Sequence, residues 1–256
     1  RALLAAARLR PREPHEDLLS PEQRAHLGEL TAGHPPHPGP NALLPVAQLH
    51  LRDVPGLTGP AGTDLLQVLW CPLDHGDEAV PATRLFWRNA ADVGELLTDP
   101  PEPADVDPFG DYVPEPCVLH PEAVTEYPAR LELPEELAGR LRAWGEESSG
   151  DDARYQSELS VAPGWKVGGW GPWSFRDPWP MRCPTCAAPY RPLLTVDSAE
   201  RGDDSWTPLE DRAQPSGPAG AGSPDNPPMV SIGRGYTLQV YVCPASFDHP
   251  HLDVMQ

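Results

Sequence analysis

Two thiols spaced by two residues, "CPTC" (Cys183, Cys186), are the sharpest chemical signal in the chain. On a turn, such a pair can hold one side of a tetrahedral zinc ion, and a structural site needs two further ligands. Cys243 followed by His249 or His251 would supply them. The alternatives are a turn carrying two reduced thiols, or a redox-active Cys-x-x-Cys. The redox motif usually opens a helix, whereas Pro184 and the downstream "AAPYRP" read as turn and strand. Cys71 and His75 form a second pair, with only two ligands between them.

Next comes "GWKVGGWGPW" (164–173), which together with Trp179 crowds four tryptophans around flexible glycines. One reading is an aromatic groove for a peptide, formed by Trp165, Trp170 and Trp173, with Lys166 available to a carboxylate. The other makes most of these tryptophans the core of a glycine-cornered sheet. The spacing is not G-x-G-x-x-G and no helix follows, so it is no nucleotide loop. The acid pairs Asp151–Asp152 and Asp203–Asp204 lie among Gly and Ser and read as solvated loop charge. No G-x-S-x-G, H-E-x-x-H or P-loop is present, and no nucleophile, base and orienter assemble from the sequence. That absence counts against an enzyme only weakly, because such sets converge in space and need not converge in sequence.

These residues need strands and turns to position them. The chain has 256 residues, with 36 prolines and 22 glycines, so its regular elements must be short. Strands are expected within "LLPVAQLHL" (43–51), "TDLLQVLWCP" (63–72), "TRLFWRN" (83–89) and "MVSIGRGYTLQVYVCP" (229–244). "LLSPEQRAHLGEL" (18–30) carries a helix start, with Ser20 as N-cap, Pro21 at the first position and Gln23 in a capping box. A second helix is expected over 134–146, where Leu133, Leu137, Leu141 and Trp144 recur at helical spacing. Residues 97–130 are acidic and proline-laden with little periodicity. Residues 198–228, rich in Pro, Gly, Ser and Asp, read as a mobile surface loop. The segmentation is therefore an N-terminal helical part (1–39), a first β-rich half (40–150) and a second (151–256).

"LQVLWCPLDH" (66–75) returns as "LQVYVCPASFDH" (238–249). In strand geometry Leu66, Val68 and Trp70 share one face, as do Leu238, Val240 and Val242. Both strands are expected to stop at the proline after the cysteine, because it cannot donate to a ladder. The pattern suggests equivalent strands in two related antiparallel halves, hence a β-rich α+β fold with pseudo-duplication, peripheral helices and long Pro/Gly loops.

The formal charge is −19, from 38 acidic and 19 basic residues, of which only Lys166 is a lysine. Such a surface repels nucleic acid and anionic membranes, so neither is an expected partner. A basic protein or peptide fits better. The apolar run in "RALLAAARLR" is too short for a signal core, and no stretch reaches the roughly 20 apolar residues of a membrane span. A cytoplasmic protein with reduced thiols is expected.

The second half resembles the YwqG-like family of bacterial proteins. The likeness is carried by "WKVGGW" (165–170), "CPTC" (183–186), "LLTVDSAE" (193–200) and "IGRGYTLQVYVCPASFDHPH" (232–251), in the family's order. "LLQVLWCP" matches an earlier Leu-Gln strand of the family. That family is similar in fold to the programmed-cell-death-2 proteins, whose relatives act as dedicated chaperones. The resemblance implies a β-rich fold of two related halves and a chaperone-like or immunity-type binding role, and it brings no catalytic residue. The family's fuller pattern has a second Cys-x-x-Cys-like pair after the last strand. Here Ala245, Ser246 and Phe247 follow Cys243, so a metal would require His249 as a substitute ligand. The competing functional expectation is a metal-assisted hydrolase at Cys183, Cys186, Cys243 and His249.

Overall fold

The computed structural model describes residues 20–22, 25, 39–76, 80–106, 111–151, 153–200, 206 and 226–256. Most of the expected N-terminal helix and of the 198–228 loop lies outside the described residues; Pro21, Glu22 and Ala25 are helical. The protein is β-rich: its described residues form a three-stranded and a four-stranded antiparallel sheet and few helices. The described residues form two compact units. One runs to His120 and takes in 226–234; the other comprises the described residues from Pro121 to Glu200, Trp206, and Gly235–Gln256.

In the first unit β1 (Leu44–His50), β2 (Leu65–His75) and β3 (Val80–Arg88) pair in sequence order. Leu66, Val68 and Trp70 are buried on the middle strand while Gln67 and Leu69 between them are half-buried, so the alternation in the sequence is visible in the sheet. Gln67 donates across to Gln48 at 2.8 Å. The Trp70 indole donates to the Tyr112 carbonyl at 2.9 Å, and the two rings meet edge-on. That bond satisfies the one polar atom of a side chain that is otherwise pure buried area.

Strand β2 does not stop at Pro72, contrary to expectation. It continues to His75, and its register with β3 is interrupted between Trp70 and Asp74. β1 begins opposite Trp70, so Pro72 lies beyond the three-stranded part and inside a ladder irregularity. There its missing N–H breaks no regular pairing.

The second unit holds β4 (Lys166–Val167), β5 (Arg191–Asp197), β6 (Thr237–Val242) and β7 (Leu252–Met255), in that spatial order. β6 has a neighbour on each side and all six of its residues are buried. Its polar members satisfy one another: Gln239 donates to Thr195 at 3.2 Å and accepts from Tyr241 at 3.0 Å. A buried glutamine without such partners would cost about 1–3 kcal/mol.

Helix α1 (Glu135–Ser149) forms where expected, but it does not bury the leucine–tryptophan stripe. Leu137 and Trp144 are exposed, Leu141 is half-buried, and the buried residues are Ala138 and Gly145, seven apart. The Asp151 carbonyl sits where a Cβ on Gly145 would be, so closeness of backbone approach selects the buried face. Arg154 covers Trp144 by stacking 5.0 Å above its ring. Among the described residues no helix is long and apolar enough to cross a membrane.

Candidate metal centre

Antiparallel pairing of β5 with β6 sets Arg191 opposite Val242. The start of one strand therefore lies beside the end of the other, and the residues just outside that edge are brought together. Upstream of β5, residues 181–190 form a tight hairpin. Tyr190 N–H donates to the Met181 carbonyl, Cys183 N–H to Ala188 and Ala187 N–H to Cys183, at 3.0, 2.9 and 2.8 Å. Downstream of β6, Cys243 follows at once. His249 is turned back by its N–H donating to the Ser246 carbonyl at 3.3 Å, while Ser246 Oγ accepts from Asp248 N–H at 3.1 Å.

The result is a cluster of Cys183, Cys186, Cys243 and His249 whose ligand atoms all lie within 4.8 Å of one another. Cys183 Sγ is 3.5 Å from His249 Nδ1, Cys243 Sγ is 3.3 Å from the same nitrogen, and Cys186 Sγ is 3.4 Å from Cys243 Sγ. These four are close enough to bind one metal ion. His249, rather than His251, completes the set; His251 Nε2 instead lies 3.9 Å from Asp253.

The two cysteine turns share a backbone device. Cys183 accepts from the N–H groups of Thr185 and Cys186, and Cys243 from those of Ala245 and Ser246, at the same offsets of two and three residues. Burial pushes both thiols up. At Cys183 the backbone donors chiefly oppose it, whereas at Cys243 the His249 contact opposes it most, and with the backbone donors it brings the thiol down to about 6. Cys183 also falls below the ordinary thiol range. His249 rises above the ordinary imidazole value because Cys243 favours its protonated form. The N–H donors favour thiolate, the form a metal binds.

The other residues singled out in the sequence are placed as follows. Lys166 is inside: its Nζ donates to Glu126 Oε2 at 2.8 Å and to the Ala162 carbonyl at 3.1 Å. Burial lowers its pKa despite Glu126, and the carboxylate it meets is thus the chain's own. The Trp165 indole donates to the Asp197 carbonyl at 3.0 Å, and Trp173 is buried edge-on against Trp179. Trp170 is 39% exposed. Its N–H donates to Glu126 Oε1 at 2.5 Å, and Glu126 Oε2 also accepts from Ala162 N–H at 2.8 Å. A Cβ on Gly169, whose φ is +74°, would strike the same carboxylate, which explains the Gly–Gly corner. Glu126, the hub of this corner, lies in the proline-laden stretch where no local pattern marks it. Cys71 is buried and accepts from Asn41 at 3.7 Å, whereas His75 is exposed. Asp151 accepts from Ala153 N–H, and Asp152, Asp203 and Asp204 lie outside the described residues.

Fold and site together define a β-rich protein with a Cys3His cluster at one sheet edge. Comparison with models of known protein families, with curated proteins and with solved structures found no match.

Proposed function

We propose that Cys183, Cys186, Cys243 and His249 hold a structural zinc ion, and that the chain is a cytoplasmic, non-enzymatic binding module for a basic protein or peptide. The observation that carries the reading is the completeness of the ligand set. Tetrahedral zinc, with Zn–S of about 2.3 Å and Zn–N of about 2.0–2.1 Å, sets ligand edges of about 3.8 Å between sulfurs and about 3.6 Å between sulfur and nitrogen. The observed 3.4, 3.3 and 3.5 Å are within a few tenths of those edges. Thiolate and imidazole donors suit zinc over hard cations.

A hydrolytic zinc keeps one position open for water. Four protein ligands would fill a tetrahedron around the ion, which favours the structural role over the metal-assisted hydrolase. The charge of −19 supplies the partner's chemistry: a cationic surface is attracted and a polyanion repelled. The YwqG-like assignment and its two related halves belong to the same proposal. Supporting them, Leu66-Gln67-Val68 and Leu238-Gln239-Val240 both lie on strands with a neighbour on each side, upstream of a Cys-Pro.

The test is capture of partners by the tagged chain at low salt and at about 1 M salt, where the Debye length falls to about 3 Å. A stoichiometric basic protein that leaves at high salt is expected. Capture indifferent to salt would overturn electrostatic recognition. In parallel, Cys183→Ser should lose zinc and destabilise the second unit; a variant that folds unchanged while an activity disappears would favour the hydrolase.

A further inference from the structure

We infer that the metal centre is also an oxidation site, at which a peroxide joins Cys186 to Cys243 as a disulfide and expels the metal. The inference rests on the zinc reading for its expulsion step. Its basis is the arrangement of the three sulfurs. Cys186 is exposed on the hairpin, whereas Cys183 is 2% exposed and Cys243 is 1% exposed. The sulfur of Cys186 lies 3.4 Å from Cys243 Sγ, and a disulfide needs about 2.05 Å, so about 1.4 Å of approach closes the bond. Cys183 Sγ also interacts with both of these sulfurs and lies 3.5 Å from His249, but it is buried, so the pairing proposed is that of the exposed cysteine with the sulfur 3.4 Å from it. An exposed cysteine beside a resolving cysteine is the arrangement that oxidation-sensing thiols use.

The step balances as follows. The Cys186 thiolate attacks one peroxide oxygen, the O–O bond breaks, and hydroxide leaves as water after taking a proton. The resulting sulfenic acid is attacked by the Cys243 thiolate; the S–S bond forms and the sulfenic oxygen leaves as a second water with another solvent proton. Two sulfurs lose two electrons, and the peroxide gains them. Cys183 and His249 remain, and two ligands do not retain zinc against water. A soluble thiol or phosphine returns both sulfurs to the reduced state, and the site reloads.

The experiment uses the full chain, reduced, loaded with zinc and then titrated with hydrogen peroxide. Released zinc is read with a colorimetric chelator, and disulfides are mapped by tryptic mass spectrometry. Cleavage after Arg182, Arg201 and Arg234 places Cys183 and Cys186 in one peptide and Cys243 in another, so fragmentation separates the possible pairings. The expected result is zinc released mole for mole with a Cys186–Cys243 link, reversed by phosphine and fresh zinc, and unchanged in Cys117→Ser. A link between Cys183 and Cys186, or zinc retained under excess peroxide, overturns the inference. A reduced chain that takes up no zinc defeats the metal reading and the expulsion step with it, while the disulfide map still decides the pairing.

Discussion

Zinc binding and folding should be one equilibrium in the second unit, and the coupling has a size. All four ligands lie just outside the β5–β6 edge: two on the hairpin entering β5, one directly after β6, and one on the loop to β7. An unfolded chain does not hold these groups within 4.8 Å of one another, so zinc favours the folded state. At free zinc a hundredfold above its dissociation constant, linkage stabilises the fold by about 2.7 kcal/mol. For a chain of this length each kcal/mol moves Tm by about 2–4 °C, so the increment is about 5–11 °C. Chelator-treated, reduced protein should therefore melt about 5–11 °C lower than the zinc-loaded form by differential scanning calorimetry. Cobalt substitution should give the intense visible bands of a tetrahedral thiolate site. Cys183→Ser and His249→Ala should each lose most of the increment, while Cys71→Ser, at a buried thiol outside the cluster, should keep it. The reasoning is refuted if zinc leaves Tm unmoved, or if His249→Ala retains the full increment.

Two further outcomes follow from the glycine corner. Glu126→Ala removes an acceptor for Lys166, Ala162 and Trp170 and leaves the buried ammonium without its ion-pair partner in contact, so urea unfolding of the metal-loaded protein should show a loss of about 3–5 kcal/mol. A loss below about 1 kcal/mol would mean the pair is solvated and worth no more than a surface ion pair. Asp197 is raised above the ordinary aspartate value, chiefly by burial, with N–H groups of Gly164 and Ala199 opposing the shift. Its folded form holds the proton more tightly than the unfolded chain. The burial penalty is therefore present in full above the folded pKa and is relieved as pH falls through that value toward 3.8, being flat below it. Carboxyl NMR should place this titration above 3.8, and a value at or below it would sink the argument.

Local pattern made the strands legible because a half-buried strand writes its faces as alternation. Leu66, Val68 and Trp70 read correctly for that reason. The end of β2 was misread, since a proline blocks a ladder only where the ladder is regular, and Pro72 falls in an interruption where β2 runs from Trp70 to Asp74 while β3 runs only from Thr83 to Pro81. The stripe on α1 was misread for a different reason. Periodicity identifies an apolar face but not the one the unit covers, and Ala138 and Gly145 pack closer than Leu137 and Trp144 can. Glu126 left no trace in its own neighbourhood, because its three partners lie 36–44 residues downstream.

By itself, the sequence determined a β-rich chain, a strongly acidic surface and a cysteine pair on a turn, all properties of composition or of neighbours within a few residues. Tertiary structure decided the fourth ligand. His249 and His251 are both candidates along the chain, and the choice falls to His249 because the turn at Ser246 aims it at Cys243 while antiparallel pairing of β5 with β6 delivers Cys183 and Cys186 to the same edge. A ligand set is a statement about distances in space, and chain spacing constrains those distances only within a single turn.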